Sequence, residues 1–189
     1  MKHLILFFSA AVFLIFAESA VSAQQIVYAD ASAFPLYGKV SEDTDGRYER
    51  LPSHLKTVSR EPVWYLGRNS AGLYIRFRSN STSIHLRWES MFNNSMTHMT
   101  DTGTKGLDLY ALQDGEWRHV CSAQPQGKKS ERAVIRYMDP IEREYMLYLS
   151  LYDGISSLEI GVDEGASLDM PAVDSPSSER PVVMYGSSI

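Results

Sequence analysis

Between residues 60 and 165 apolar and polar side chains alternate in short runs, the pattern of strands with one buried and one wet face. Leu73, Ile75 and Phe77 alternate with Tyr74, Arg76 and Arg78, and Ile84, Leu86 and Trp88 alternate with Ser83, His85 and Arg87. The Asn80-Ser81 pair between these runs predicts a hairpin. Val63-Trp64-Tyr65-Leu66 predicts an earlier strand, with Pro62 at its start because proline cannot donate to a ladder. Leu107 to Leu112 and Glu116 to Val120 predict two strands joined by an Asp114-Gly115 turn. Arg132 to Met138 predicts another. So does Tyr145 to Tyr152, with Leu147, Leu149 and Leu151 on one face and Met146, Tyr148 and Tyr152 on the other. Asp153-Gly154 is a second hairpin signal, leading to Leu158, Ile160 and Val162 at alternate positions.

No window before residue 165 carries a helical period, and Asn93 to Lys105, polar and rich in Met and Thr, predicts a long loop. Ala33 to Gly38 suits a loop packed on a sheet, and Tyr48 to Leu51 a short edge segment. Short strands at near-even spacing with turn residues between them predict an all-β fold, an antiparallel jelly-roll-like β-sandwich over residues 24–165. Asp163 to Arg180 is rich in Asp, Ser, Pro, Gly and Glu and predicts a linker, placed at 166–180.

The pattern then changes. Val182 to Tyr185 is a continuous apolar run, the signature of a buried parallel strand, and Gly186 permits a sharp turn after it. Residues 181–189 are therefore expected to open a second, α/β domain. A parallel strand needs partners, so the expectation is that this chain is the N-terminal piece of a longer protein.

At the other end, Lys2 and His3 precede an apolar run from Leu4 to Phe16, and Val21-Ser22-Ala23 satisfies the small-residue cleavage rule. Residues 1–23 are expected to be a signal peptide cut after Ala23, sending the protein to the periplasm or outside the cell, with no membrane contact after cleavage. No cysteine follows the apolar run closely, which argues against a lipoprotein anchor. Cys121 is the one cysteine, so the exported core must hold without an internal disulfide. A formal net charge of -5 with scattered basic residues argues against a nucleic-acid partner. Phosphate-binding, dinucleotide and HExxH motifs are absent, and no cofactor or metal is expected.

Two motifs carry the functional reading. Gly186-Ser187-Ser188-Ile189, at the end of an apolar strand, resembles the first block of the SGNH (GDSL-type) hydrolases, serine esterases of flavodoxin-like α/β fold. In that family the block reads Gly-Asp-Ser-(Leu or Ile), so Ser187 stands where the Asp usually is and Ser188 matches the nucleophile. Without the resemblance Ser188 reads as a turn serine capping a helix. Gly106-Leu107-Asp108-Leu109-Tyr110 is similar to the Gly-x-Asp-Leu-Tyr signature of a domain at the N-terminus of bacterial SGNH-type esterases. Arg60 to Trp64, Ser70 to Gly72 and Ile75 to Phe77 resemble the same family, and the likeness runs from about Tyr28 to Ile189.

The resemblance implies a β-sandwich in front of an esterase domain that removes short acyl groups, such as acetyl, from carbohydrate esters. It also implies a His and an Asp, in an Asp-x-x-His block, and oxyanion donors from further blocks. None of those blocks occurs in these residues, so the 189-residue chain alone is expected to be inactive. Asp108 and Tyr110 fall on one strand face; they read first as structural, with substrate contact as the alternative. His54 falls in a polar segment, His85 and His119 on strand faces, and His98 in the Met/Thr loop, from where it could lean over a neighbouring active site. Trp88, in register with Ile84 and Leu86, reads as core, while Trp64 and Trp117 stay open between packing and a sugar platform. A stand-alone carbohydrate-binding sandwich is the alternative function.

Overall fold

A computed structural model describes residues 24–173. The expected signal peptide (1–23) and the stretch that holds Val182 to Tyr185, Gly186, Ser188 and Ile189 lie outside them.

The described chain is the expected antiparallel β-sandwich. In order it forms β1 (Ile26–Asp30), β2 (Leu36–Tyr37), helix α1 (Glu61–Gly67), β3 (Tyr74–Ser79), β4 (Ile84–Ser90), helix α2 (Asp101–Lys105), β5 (Leu107–Gln113), β6 (Glu116–Ala123), β7 (Lys129–Ile135), β8 (Arg143–Tyr148) and β9 (Ile155–Asp163). Two short 3-10 turns, Ala31–Ala33 and Ser53–Thr57, lie among them. One sheet has the order β1-β9-β4-β7 and the other β2-β3-β8-β5-β6. Every pairing is antiparallel. Between the sheets lie Leu73, Ile75, Phe77, Ile84, Leu86, Trp88, Leu107, Leu109, Tyr145, Leu147, Leu158 and Ile160, the inward positions that the alternation marked. Trp88 is core, as expected, with its indole N–H donating to the Lys105 carbonyl at 3.3 Å.

Two expected hairpins are corrected. Asn80-Ser81 does not join neighbouring strands: β3 and β4 belong to opposite sheets, and the chain crosses the sandwich there. The crossing is held by buried Asp163 at the end of β9, whose carboxylate accepts from the amide and hydroxyl of Thr82 (2.8 and 2.6 Å) and of Ser83 (3.1 and 2.6 Å). Asp153-Gly154 is likewise a crossing from β8 to β9. There the buried Asp153 carboxylate accepts from the amides of Phe92 (2.9 Å) and Asn94 (2.7 Å), joining two connections at one end of the sandwich. Alternation shows which face of a strand is buried but not which sheet it enters. Only Asp114-Gly115 makes the expected hairpin, β5 to β6, with both residues at positive φ (54° and 81°) as the tight turn requires.

Val63 to Leu66 is helix α1, not a strand. Pro62 sits in its first turn with Glu61, where a fixed φ and a missing amide cost nothing and a carboxylate favours the helix start. These start signals outweigh the β-branched and aromatic residues. Val63, Tyr65 and Leu66 remain exposed. The Asn93 to Lys105 loop ends in α2, and the Lys105 ammonium is drawn inside it, donating to Asn93 Oδ1 at 2.8 Å and pairing with Asp101 at 3.2 Å. β8 stops at Tyr148 rather than Tyr152, and Leu151 and Tyr152 are exposed. β7 covers Lys129–Ile135 instead of continuing to Met138, and Tyr137 is 95% exposed at positive φ. Tyr48 is a core residue, not an edge strand.

Residues 164–173, compositionally part of the linker stretch, lie on the sandwich. Ser79 Oγ donates to the Ser167 carbonyl at 2.6 Å, Leu168 packs on the core, and Asp169 pairs antiparallel with Arg78 on β3. No helix among the described residues is long and apolar enough to cross a membrane.

Candidate functional site

The Gly106–Tyr110 motif opens β5, in the middle of the larger sheet. Gly106 caps α2, its amide donating to the Thr102 carbonyl at 3.1 Å. A Cβ there would stand 2.3 Å from the Thr102 oxygen and 2.8 Å from the Ala123 oxygen, both backbone atoms. The glycine is therefore required by close approach of three backbone segments. Gly106→Ala is expected to cost about 2–3 kcal/mol, the upper part of the usual range for overpacking because the atoms met are backbone, read as a lower urea midpoint with an unchanged m-value.

Leu107 and Leu109 enter the core, and Asp108 and Tyr110 share the outer face, as their spacing predicts. Asp108 Oδ1 accepts from Ser122 Oγ at 2.5 Å, and His119 Nε2 stands 3.2 Å from the same hydroxyl. The trio is not a hydrolytic relay. The serine proton is committed to a carboxylate, whereas activation of a serine needs the imidazole as base with the carboxylate behind it. Its effect is to fix Asp108 against β6, which favours the structural reading of that residue.

Tyr110 belongs to a row of rings that crosses all five strands. Tyr37 (β2) stacks on Tyr74 (β3) with centroids 5.3 Å apart, Tyr74 lies 5.0 Å from Tyr148 (β8), Tyr148 5.6 Å from Tyr110 (β5), and Tyr110 5.3 Å from His119 (β6). The tyrosines are half-buried. Burial, and then the neighbouring tyrosines, push the Tyr74 and Tyr148 hydroxyls above the ordinary phenol value.

Beside this row, Arg76 is 3% exposed although it points outward from β3. Its Nη2 donates to the Val173 carbonyl at 2.8 Å and lies 3.7 Å from Glu144 on β8, and its guanidinium sits 5.2 Å from the Trp117 ring. Glu144 Oε1 in turn accepts from the amides of Ala172 (2.5 Å) and Val173 (3.2 Å). A buried ion pair thus clamps residues 172–173 onto the outside of the sheet. Composition did not reveal the row or the clamp; Tyr74, Tyr110 and Tyr148 at outward-facing strand positions were the available signal.

The outer face of the other sheet is different in kind. Arg87 stacks 3.5 Å over the Tyr28 ring and pairs with Glu131 at 3.0 Å and Glu159 at 4.0 Å, all in contact with water. Burial and the hydrogen bond to Glu131 push the Tyr28 hydroxyl up to about 12. A shallow cleft of about 540 Å³ runs beside this network, lined in part by Lys129, Glu89 and Gln126. Such a solvated charged face is the ordinary condition of a soluble domain.

His98 is exposed in its loop, His54 lies 3.5 Å from Asp43, and His85 is half-buried on β4. These histidines do not converge. Trp64 is half-buried on α1, Trp117 on β6 meets Arg76, and among the described residues no two tryptophans are in ring contact. Among the described residues no cluster of His, Cys, Asp and Glu is arranged to hold a metal ion. Ser188 lies outside the described residues, so its surroundings are not part of this geometry.

Residues 26–168 match the GxDLY family, the N-terminus of SGNH-hydrolase-type esterases. A search of the curated proteins gives no match. Among solved structures the chain is similar to a GDSL-like lipase from Bacteroides ovatus, at 34% identity and TM-score 0.74, covering 77% of this chain and 43% of that one. It is also similar to a salicylyl-acyltransferase from a tetracycline biosynthetic pathway, at 20% identity and TM-score 0.56, covering 82% and 44%; at that identity the likeness shows the fold alone. An acetyl xylan esterase from the rumen bacterium Butyrivibrio proteoclasticus aligns at 15% identity and TM-score 0.37, covering 79% and 35%, too low to carry an argument. The chain spans less than half the length of each of these proteins.

Proposed function

The chain belongs to the GxDLY family of N-terminal domains of SGNH-type esterases, and from that premise we propose that it is the accessory sandwich of a secreted serine esterase acting on short acyl esters of carbohydrates. The observation that carries this is order along the chain. The family match ends at residue 168, and a nucleophile-like block, Gly186 to Ile189, follows an apolar run shortly after it. In this reading residues 181–189 begin the catalytic domain. Ser188 Oγ attacks the ester carbonyl, a His beyond these residues takes its proton, and water releases the acyl group from the serine. Residues 1–189 alone supply a nucleophile without that base and do not turn over esters.

The sandwich acts by carrying and positioning the catalytic domain. A sugar platform is not favoured: Tyr37 and Tyr74 lie face to face with planes 18° apart, so each covers one face of the other, and Tyr148 on β8 stands 5.0 Å from Tyr74.

The test uses the full-length protein purified from its own host. It is expected to release acetate from acetylated oligosaccharides at least about tenfold faster, in kcat/KM, than it releases a long-chain fatty acid from the matched ester. No acetate release, or a preference for long chains, would contradict the reading.

A further inference from the structure

The two outer faces of the sandwich invite a comparison. One carries Arg87, Glu131, Glu159, Lys129 and Glu89, charged groups that stay wet. The other carries the tyrosine row, with Met146 and Trp117 beside it, and its central charges, Arg76 and Glu144, are buried and spent on each other and on residues 172–173. Tyr, Trp, Met and Arg are the residues that accumulate at the centres of protein interfaces, and Lys and Glu are the ones depleted there. Four strands of six to eight residues, β3, β8, β5 and β6, at about 4.8 Å spacing and about 3.3 Å per residue, give a face of roughly 400–500 Å² with the two-residue β2 at its edge, the per-side scale of a domain interface within one chain.

The path of the chain says which partner belongs there. Asp169 pairs antiparallel with Arg78, at the end of β3 away from Tyr74. From there the chain advances toward the tyrosine row, and residues 172–173 are fastened over the middle of the sheet by Glu144 and Arg76. Val173, the last described residue, lies on this face and not on the charged one. The GDSL-like lipase from Bacteroides ovatus has more than half its length beyond the part matched here, since 43% of it is covered.

We propose that the outer face of the five-stranded sheet, centred on Tyr74, Tyr110 and Tyr148, is the surface on which the following esterase domain docks. This rests on the accessory-domain reading. The matching surface is apolar with hydrogen-bond acceptors, backbone carbonyls or carboxylates, placed for the phenol hydroxyls at the ring tips. The Arg76–Glu144 clamp sets where the connection starts and so fixes the register of the two domains. Exposed Val63, Tyr65 and Leu66 on α1 form a second apolar patch, but the described chain does not lead to it.

Hydroxyl-radical footprinting with mass mapping tests this, comparing the full-length native protein with the chain of residues 1–189. Oxidation at Tyr74, Tyr110 and Tyr148 is expected to fall at least about fivefold in the full-length protein, while Tyr137, exposed to 95%, reacts equally in both. Equal oxidation of the three in a longer native protein would overturn the docking face and leave the accessory-domain reading standing. A native protein no longer than this chain would overturn both. Protection of the 1–189 chain that appears with added oligosaccharide would reassign the face to a glycan. Protection that rises with protein concentration would reassign it to a second copy. Either result overturns the proposal.

Discussion

Full-length protein carrying Ser188→Ala is expected to hydrolyse acetyl esters at least about a thousandfold more slowly than the unchanged protein, with KM little altered and the sandwich melting as before. The size follows from the chemistry. A serine hydroxyl is a poor nucleophile until a positioned base takes its proton in the transition state, and alanine removes the attacking atom altogether. Binding and oxyanion stabilisation survive the change, so a residue of activity above the rate in water remains. Ser187→Ala is the control: it is next in the chain and stands where the family has Asp, and it is expected to leave most of the rate. A Ser188→Ala enzyme with more than about a tenth of normal kcat would remove Ser188 from the chemistry.

The largest structural effect is expected at Asp163. Its carboxylate is buried at the end of β9 and holds the crossing from β3 to β4 through the amides and hydroxyls of Thr82 and Ser83, with Ser81 Oγ 2.9 Å away. Asp163→Ala leaves those donors without their acceptor where water has poor access. An orphaned buried donor costs about 1–3 kcal/mol, and the hydroxyls can turn to other partners while the amides cannot, so the loss is expected near 4 kcal/mol. That corresponds to roughly 8–16 °C in Tm for a domain of this size. Asp163→Asn keeps the shape but turns an N–H₂ toward N–H donors, and about half the loss is expected.

The same site makes a pH prediction. Burial by itself would raise the Asp163 value, but the hydrogen bonds from Ser83, Thr82 and Ser81 outweigh it and hold the carboxyl below the ordinary range. A carboxylate whose value is depressed by folding contributes stability that is fully present above the unfolded value, about 3.9, and is lost as the pH falls through the folded one. The unchanged domain should therefore lose stability below about pH 4, and Asp163→Asn should lose less over that range. Identical acid profiles by circular dichroism would show that the carboxylate's charge is not what holds the crossing.

Much of the sandwich can be read from one-dimensional pattern because alternation is a local property. Leu73, Ile75 and Phe77, and Ile84, Leu86 and Trp88, face the core as their spacing says. The Asp114-Gly115 hairpin is legible because two adjacent residues at positive φ are a local demand that Gly and Asp meet. The crossings at Asn80-Ser81 and Asp153-Gly154 are not legible, because the same turn residues serve a hairpin and a change of sheet. What separates them is Asp163 and Asp153, partners some 80 and 60 residues away from the groups they hold. Helix α1 was hidden by its Val, Trp and Tyr, although Glu61-Pro62 was a start signal. The tyrosine row was hidden because Tyr37, Tyr74, Tyr110 and Tyr148 are far apart in sequence and are brought together only by sheet order. Gly106 is the opposite case. Its motif stood out by resemblance, and its physical reason, the approach of the Thr102 and Ala123 backbones, is visible only in three dimensions.

The most direct measurement is the intact mass of the native protein recovered from its host with an antibody to this sandwich. A mass well above the 21.3 kDa of these 189 residues is predicted, large enough to hold a catalytic domain after Ile189. A mass at or just below 21.3 kDa would contradict the account, because no esterase domain would then exist for the sandwich to serve.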